Sequence, residues 1–345
     1  MQALALTGLC KMAVVERPMP QLASQNDVLI RIKYIGVCGS DIHYYTDGRI
    51  GSQVVSYPFV VGHECSGQVV AVGPKVKGLE PGDLVAIDPA VSCGACQQCD
   101  AGRPHTCLNN RFLGCPDQLE GCLTEYLVMP DFCCYRVTDL MDAEEAALLE
   151  PFSIGVYAVR LAGAIEAGQR VAIFGAGPIG LSIFLKLMVD GVGQVGILDP
   201  LQYRLEKASE MGASWVLNPD GIDVASKVSK IAPNGLDVVF EASGSQSAID
   251  NALNVLIPGG KLVLVGIPPD AHYRFNMDLM RRKEITVINV RRQNEAMDES
   301  IRLVSERKVN LKQMVTHYFQ LRKTPVAFDM VSQYADGVVK AMVFV

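Results

Sequence analysis

The sequence lacks an excess of basic residues, an export signal and an uninterrupted apolar segment of membrane-spanning length. It has 31 lysines and arginines against 37 aspartates and glutamates, a net charge of −6, which gives no electrostatic basis for binding nucleic acid. The first six residues have no basic flank and no long apolar core, so we expect a cytoplasmic protein. Residues 171–189 are apolar but are interrupted by glycine and proline and carry Lys186. They predict a buried strand and a helix rather than a membrane span.

Cysteine, by contrast, is abundant. The chain has 11 cysteines, an odd number, and no export signal. Both observations argue against a disulfide framework and favour metal binding. Four cysteines are spaced C-x2-C-x2-C-x7-C, which predicts a closed structural zinc site: Cys93, Cys96, Cys99 and Cys107. An iron–sulfur cluster could use the same four thiolates, but the context favours zinc. His105, inside this segment, is predicted to lie at the surface. The other cysteines are predicted to be small core residues: Cys10, Cys65, Cys115, Cys122, Cys133 and Cys134.

The chain of 345 residues exceeds the roughly 250–300 residues at which single cores stop growing, so we expect two domains. Its first 150 residues are rich in β-branched residues and turns, and they predict short strands at 28–34, 67–72 and 84–87. From Pro151 onward, strand-like runs alternate with helical stretches, which is typical of a parallel sheet. After a helix at 295–308, a last strand at 338–345 is expected to return to the first domain.

A glycine motif follows the predicted strand at 171–174 and precedes a predicted helix, as dinucleotide binding requires. Its candidate cofactor-binding residues are Gly175, Gly177, Pro178, Ile179 and Gly180. The next apolar strand ends at Asp199, whose carboxylate would accept hydrogen bonds from both ribose hydroxyls and repel a 2′-phosphate. The carboxylate of Asp199 therefore favours NAD over NADP, although the nearby Arg204 means that NADP is not excluded. A helix N-cap is an alternative or additional role for Asp199.

His63 and Glu64 stand side by side after Gly62. Alone, this pair is a weak indication of a metal site. If Cys38 and Glu150 meet it in space, four side chains of the types that suit a catalytic zinc converge. Such a zinc keeps one position open for substrate.

With these motifs together, the chain resembles the zinc-containing medium-chain alcohol dehydrogenases, and within them the polyol branch of sorbitol, L-iditol and xylitol dehydrogenases. The resemblance covers essentially the whole chain. It is most specific at residues 36–44, 48–51, 62–64 and 150–151, in the four-cysteine segment and in the glycine motif. It implies an α/β protein with a GroES-like β catalytic domain (1–151 and 291–345) and a Rossmann NAD-binding domain, a doubly wound parallel sheet (152–290).

The resemblance also implies roles for individual residues. Cys38, His63 and Glu64 become the first ligands of the catalytic zinc, and Glu150 stands where polyol dehydrogenases have glutamate. Either carboxylate could be the direct ligand. Asp41 would orient His63. The expected proton relay is Ser40 and His43, the expected substrate contact is Tyr44, and Val265 is expected to contact the cofactor.

One departure concerns the substrate. The polyol branch has a Phe-Arg-Tyr sequence where this chain has Arg291, Arg292 and Gln293. Arg292 therefore matches the substrate-binding arginine, but the more polar neighbours leave room for an acidic or phosphorylated polyol. Arg291 could equally be a surface residue.

The expected activity is NAD-dependent oxidation of a secondary hydroxyl of a polyol to a ketose. A polyol-phosphate dehydrogenase, an L-threonine 3-dehydrogenase or another secondary-alcohol dehydrogenase is the alternative within the enzyme class. Outside it, the alternatives are a non-catalytic NAD(P)H-binding protein and a zinc-ribbon-like interaction protein. The partners expected are a small-molecule substrate and further copies of the chain, without nucleic acid or membrane. An apolar strand at 284–290 predicts at least a dimer, and the resemblance implies a tetramer.

Overall fold

The computed structural model describes residues 1–268 and 272–345. The chain divides into two compact units, Met1–Pro151 with Met297–Val345, and Phe152–Ala296. The second segment of the first unit begins at Met297. Arg160 gives a reason, because its guanidinium donates to the carbonyls of Asn294 and Glu295 at 3.1 and 3.2 Å and so holds that segment in the second unit.

The strands of the described residues follow in chain order: β1 (Gln2–Gly8), β2 (Lys11–Glu16), β3 (Asp27–Gly36), β4 (Arg49–Ile50), β5 (Gln53–Val54), β6 (Phe59–Val60), β7 (Glu64–Val72), β8 (Leu84–Ile87), β9 (Ala90–Val91), β10 (Arg111–Phe112), β11 (Tyr126–Pro130), β12 (Cys134–Arg136), β13 (Arg170–Phe174), β14 (Gln194–Leu198), β15 (Trp215–Leu217), β16 (Leu236–Glu241), β17 (Leu256–Leu264), β18 (Thr286–Asn289), β19 (Val315–Gln320) and β20 (Lys340–Phe344).

The α-helices are α1 (Gly39–Thr46), α2 (Gln97–Asp100), α3 (Ala143–Ala162), α4 (Pro178–Val189), α5 (Gln202–Glu210), α6 (Val224–Ile231), α7 (Gln246–Val255), α8 (Met277–Lys283), α9 (Met297–Ser305) and α10 (Thr324–Ser332). None of these helices has the length and apolar character that a membrane span requires.

The first unit is built around a sheet in which β3 is central. Val28, Ile30 and Ile32 of β3 are buried while Arg31 between them is exposed, the alternation expected of a strand with one face on a core. The sheet order is β12-β8-β7-β3-β20-β19, and β11 also pairs with β3. β20 runs antiparallel to β3, with Met342 opposite Gly36. The prediction that the tail returns to the first domain is therefore confirmed.

The second unit is a parallel sheet with the strand order β15-β14-β13-β16-β17-β18. β13 is buried along residues 171–174, as expected where helices cover both faces of a sheet. The order reverses between β13 and β16, and doubly wound sheets bind dinucleotides at such a point. The predicted combination of a β catalytic fold and a Rossmann fold is confirmed.

Candidate metal centres and nucleotide site

Three side chains of the first unit bring a sulfur, an imidazole nitrogen and a carboxylate together. Cys38 precedes α1, His63 follows β6, and Glu64 is the first residue of β7. Their ligand atoms all lie within 4.8 Å of one another. His63 and Glu64 are buried, whereas Cys38 is partly accessible, so a ligand could approach from one side. We call these three residues the metal group.

Asp41 fixes the imidazole of His63. Its Oδ1 lies 3.4 Å from His63 Nδ1 and accepts the N–H of Gly62 at 3.1 Å, and its Oδ2 accepts the N–H of Cys38 at 3.3 Å. Asp41 is 1% exposed. A carboxylate beside Nδ1 orients the ring and makes Nε2 available to a metal, an arrangement that is common for histidines that bind metal.

The surroundings of His63 favour positive charge. Burial lowers the pKa of His63, but the negative charges of Asp41 and Cys38 and their hydrogen bonds outweigh it, so that the pKa is raised well above its usual value. The same anionic groups would stabilise a divalent cation. Both the ligand types and the charge of this group therefore fit zinc.

Glu64 pairs with a buried lysine that was not predicted from the sequence. Lys340, 1% exposed, donates from Nζ to Glu64 Oε2 and to the carbonyl of Val37 at 3.0 Å. The pair is accommodated because residue 36 is glycine: a Cβ there would overlap Glu64 Oε2 and lie 3.0 Å from Lys340 Nζ. The available indication was a single lysine within the apolar residues 338–343. Lys340 thus balances the charge of one predicted zinc ligand.

Glu150 lies in α3 and is 8% exposed. Its carboxylate is not part of the 4.8 Å group found among the described residues. Its pKa is raised to about 8, chiefly because the carboxyl group is buried; the charge of His63 opposes this rise, those of Glu64 and Asp88 add to it, and that of Lys340 also opposes it. The charges of His63 and Glu64 therefore act on Glu150, although its carboxylate lies outside the 4.8 Å group.

Four cysteines form a second group whose sulfurs all lie within 4.8 Å of one another: Cys93, Cys96, Cys99 and Cys107. Backbone N–H groups point at these sulfurs, for example from Leu108 to Cys96 at 3.5 Å and from Asn109 to Cys107 at 3.4 Å. Such hydrogen bonds lower the pKa of Cys96 to about 6 and favour the thiolate. Four sulfurs in this arrangement fit a structural zinc.

The expectations for His105 and Cys10 were wrong. His105 is 5% exposed rather than a surface residue, because the 3₁₀ turn Pro104–Thr106 directs it inward. Cys10 is exposed at the turn between β1 and β2, with φ of 51°, and is not a core residue. The other five cysteines that were predicted to be core residues are buried: Cys65, Cys115, Cys122, Cys133 and Cys134.

The glycine motif of the second unit links β13 to α4. Gly177 is the N-cap of α4 and Pro178 its first residue, so the helix N-terminus is available to an anion. Gly180 must be glycine because a Cβ there would overlap the carbonyl oxygen of Gly175. Ile179 lies in the first turn of α4, and Val265 follows β17 directly. This cradle fits a pyrophosphate.

Asp199 lies at the end of β14 and is 4% exposed. Its Oδ2 accepts the N–H of Ala176 at 2.8 Å, and its Oδ1 accepts the N–H of Leu201 at 2.9 Å. Arg204 Nη1 lies 3.8 Å from Asp199 Oδ2. The N-cap of α5 is Leu201, so Asp199 is not the N-cap. The carboxylate is instead held against the glycine motif.

The predicted relay and substrate residues belong to both units. Ser40 Oγ donates to Cys38 Sγ at 3.3 Å, and His43 Nδ1 lies 3.2 Å from Asp47 Oδ2. No hydrogen bond joins Ser40 to His43 in the described part of the chain. Tyr44 is buried in the first unit. In the second unit Arg292 is partly buried and has φ of 53°, whereas Arg291 is exposed.

Family profiles match both units. Residues 24–139 match the alcohol dehydrogenase GroES-like domain, and residues 178–306 match the zinc-binding dehydrogenase family. Among curated proteins, a sorbitol dehydrogenase of Bacillus subtilis is 34% identical over 345 residues, which covers 100% of this chain and 97% of that protein. A D-xylulose reductase of Saccharomyces cerevisiae is 36% identical over 349 residues, covering 99% and 97%.

Solved structures agree over the whole length. An Escherichia coli oxidoreductase/dehydrogenase of unknown specificity has a TM-score of 0.93 at 31% identity and covers 99% of this chain and 98% of its own. A zinc-binding dehydrogenase from Sinorhizobium meliloti bound to NADP has a TM-score of 0.90 at 27% identity, covering 100% and 99%. Galactitol-1-phosphate dehydrogenase from Escherichia coli has a TM-score of 0.91 at 26% identity, covering 100% of both. The chain therefore belongs to the zinc-dependent medium-chain dehydrogenase/reductase family, in its polyol dehydrogenase branch.

Proposed function

We propose that this enzyme oxidises a secondary hydroxyl of a polyol of the sorbitol, L-iditol or xylitol kind to a ketose, with NAD as the hydride acceptor. The observation that carries the proposal is the metal group, whose sulfur, nitrogen and oxygen ligand atoms lie within 4.8 Å of one another. The names of the curated relatives support the substrate class. In this proposal residues 1–151 and 291–345 form the catalytic domain and residues 152–290 the NAD-binding domain.

The reaction separates the two hydrogens of a carbinol. Zinc at the metal group would act as a Lewis acid that lowers the pKa of the substrate hydroxyl. NAD would accept the hydride from the carbinol carbon. The hydroxyl proton goes to solvent, so that the products are a ketose, NADH and H⁺.

The chain's own residues orient the site and move the proton. Asp41 holds His63 in one tautomer by its contact with Nδ1. In the proposal, Ser40, held beside Cys38 by its hydrogen bond, accepts the substrate proton as it releases its own. His43, 32% exposed and paired with Asp47, delivers a proton to solvent. Tyr44 and Arg292 contact the substrate.

We propose Glu150 as a further carboxylate of the zinc site, exchanging with Glu64. Glu150→Ala is expected to lower turnover tenfold or more, about 1.4 kcal/mol in the activation barrier, or to lower zinc occupancy. The fold should persist, because α3 tolerates alanine well. Turnover, bound zinc and circular dichroism check this, with the exposed Glu166→Ala as the control. Full activity together with full metal content would remove Glu150 from the site.

We propose NAD rather than NADP because the carboxylate of Asp199 is buried at the end of β14 and held by Ala176. Asp199→Ala is expected to lower kcat/KM with NAD about tenfold, the loss of a charge-assisted hydrogen bond to ribose. The kcat/KM with NADP should fall less, since Arg204 remains, so the preference for NAD over NADP should become smaller. The control is Asp220→Ala, an exposed carboxylate of the same unit. An unchanged ratio of the two cofactors would refute the ribose contact.

A polyol phosphate is the second candidate substrate. The adjacent Arg291 and Arg292 favour it, and so does the likeness to galactitol-1-phosphate dehydrogenase. Arginine pairs bind phosphate oxygens by bidentate hydrogen bonds. L-threonine and simple secondary alcohols are the remaining substrate classes that a zinc dehydrogenase of this kind could oxidise.

A substrate panel tests the proposed function. The zinc-replete enzyme would be assayed for NADH formation with sorbitol, xylitol, L-iditol, their phosphates, L-threonine and 2-butanol, with NADP in parallel. We expect turnover of a free polyol with NAD. Turnover of phosphorylated polyols alone would assign substrate binding to Arg291 and Arg292. Turnover of L-threonine alone would refute the polyol assignment.

We also propose a cytoplasmic homo-oligomer, a dimer or tetramer. Among the described residues β18 pairs only with β17, so its other edge could pair with a second copy of the chain. The four-cysteine site requires reduced thiols, which a reducing compartment maintains. Light scattering on the purified protein would measure the assembly, and a monomer at working concentrations would refute it.

A further inference from the structure

A short hairpin of the first unit holds the hydroxyl of Tyr44. Strands β4 and β5 pair through Ile50 and Gln53, and the hairpin packs against α1. Tyr44, 5% exposed, donates from its hydroxyl to Gln53 Oε1 at 3.2 Å. The same hydroxyl lies 3.7 Å from Cys115 Sγ. Gln53 is thus the hairpin residue that fixes the polar end of Tyr44.

This contact lies beside the metal group. The segment that carries Cys115 packs on the metal ligands: the Phe112 ring is 5.3 Å from the His63 ring, and a Cβ on Gly114 would be 2.7 Å from the carbonyl oxygen of Gly62. Tyr44 also lies one turn after Asp41 on α1, and residues three apart share a helix face. The Tyr44 hydroxyl is therefore connected to the metal group both through the segment that carries Cys115 and through helix α1.

The amide nitrogen of Gln53 can donate hydrogen bonds to a ligand. Its Oε1 accepts from Tyr44, and in the described part of the chain no protein atom accepts a hydrogen bond from its Nε2. A carboxamide nitrogen carries two N–H groups. Gln53 is only partly buried, so these groups can meet a ligand. A hydroxyl oxygen is a suitable acceptor for them.

We propose that Gln53 is a specificity-determining residue, whose amide donates a hydrogen bond to a second hydroxyl of the polyol while the reacting hydroxyl lies at the metal group. This inference rests on the proposed function. A monohydric alcohol has no second hydroxyl and would leave the amide without that partner, which disfavours it. The hydrogen bond from Tyr44 keeps the amide in the orientation that presents its N–H groups.

Two variants separate the roles of the amide. Gln53→Leu removes both the acceptor for Tyr44 and the donors. Gln53→Glu keeps an oxygen for Tyr44 and removes only the donors. Ser52→Ala, at an exposed position of the same hairpin, is the control for a disturbed backbone. The measured quantity is the ratio of kcat/KM for sorbitol to kcat/KM for 2-butanol, with NAD, together with the dissociation constant of sorbitol from calorimetry.

We expect both Gln53 variants to lower this ratio about tenfold and to weaken sorbitol binding by a similar factor. Ser52→Ala should stay within about twofold of the parent. Equal losses for both alcohols, or a Gln53→Glu variant with the parental ratio, would overturn the role of Gln53 and leave the proposed function intact. A parent enzyme that oxidises 2-butanol but no polyol would overturn the proposed function itself, and the role of Gln53 with it.

Discussion

Replacing Cys99 by serine is expected to remove one zinc ion per chain and to destabilise the first unit by several kcal/mol. The short helix α2, which carries Cys99, has no buried residue, so this segment has little apolar core of its own. Its order depends on the four sulfurs that lie within 4.8 Å of one another. Structural zinc contributes its binding free energy to folding, about 10–16 kcal/mol in isolated zinc-finger peptides, and a larger fold retains only part of that dependence.

Metal analysis and calorimetry measure the two effects. Bound zinc should fall from about two ions per chain to one, as expected for one catalytic and one structural site. Turnover per catalytic zinc should change little, because Cys99 belongs to the second group and not to the metal group. Cys10→Ser, at the exposed turn, is the matched control. A Cys99→Ser enzyme that stays as heat-stable as its parent would exclude a structural role for the site.

Lys340→Met is expected to lower the free energy of unfolding of the metal-free protein by about 3–5 kcal/mol. The change removes the ammonium group that pairs with Glu64 and leaves that carboxylate buried without its cation. The carbonyl of Val37 would also lose its hydrogen bond from Nζ. In the zinc-loaded protein the free energy of unfolding should fall by less, because the metal supplies positive charge to the carboxylate of Glu64.

Urea unfolding of the metal-free and zinc-loaded proteins, monitored by circular dichroism, measures how much Lys340→Met destabilises each form. The double variant Lys340→Met/Glu64→Gln should regain much of the loss, since no uncompensated charge remains. Thr316→Val removes the hydrogen bonds that the Thr316 hydroxyl donates to the carbonyl of Lys340 and accepts from the N–H of Val339, and it is a control for disturbance of β20. Equal destabilisation of both forms, without recovery in the double variant, would show that Lys340 acts by packing alone.

Local patterns in the sequence were sufficient to predict much of this molecule. The motif from Gly175 to Gly180 was recognisable because the strand before it and the helix after it are adjacent in sequence. The four-cysteine group was recognisable for the same reason, since its ligands lie within 15 residues, 93–107. The fold class followed from the alternation of strands and helices after Pro151.

Contacts between distant residues were harder to predict. Lys340 and Glu64 are 276 positions apart, and nothing in either segment indicates the other. The burial of His105 depends on the path of a turn, and the exposure of Cys10 on a tight connection between two strands. The position of Glu150 relative to the metal group depends on how α3 is rotated, which residue types alone do not determine.

The pairing of β20 with β3 has a consequence for the order of synthesis. Residues 34–36 of β3 emerge from the ribosome about 300 residues before their partners 342–344, and Glu64 emerges 276 residues before Lys340. The sheet of the second unit, by contrast, is encoded without interruption between residues 170 and 289. Translation therefore delivers a complete nucleotide-binding sheet while the metal-binding sheet still has an open edge beside β3. During that interval this edge is the part of the nascent protein most exposed to mispairing and to chaperones.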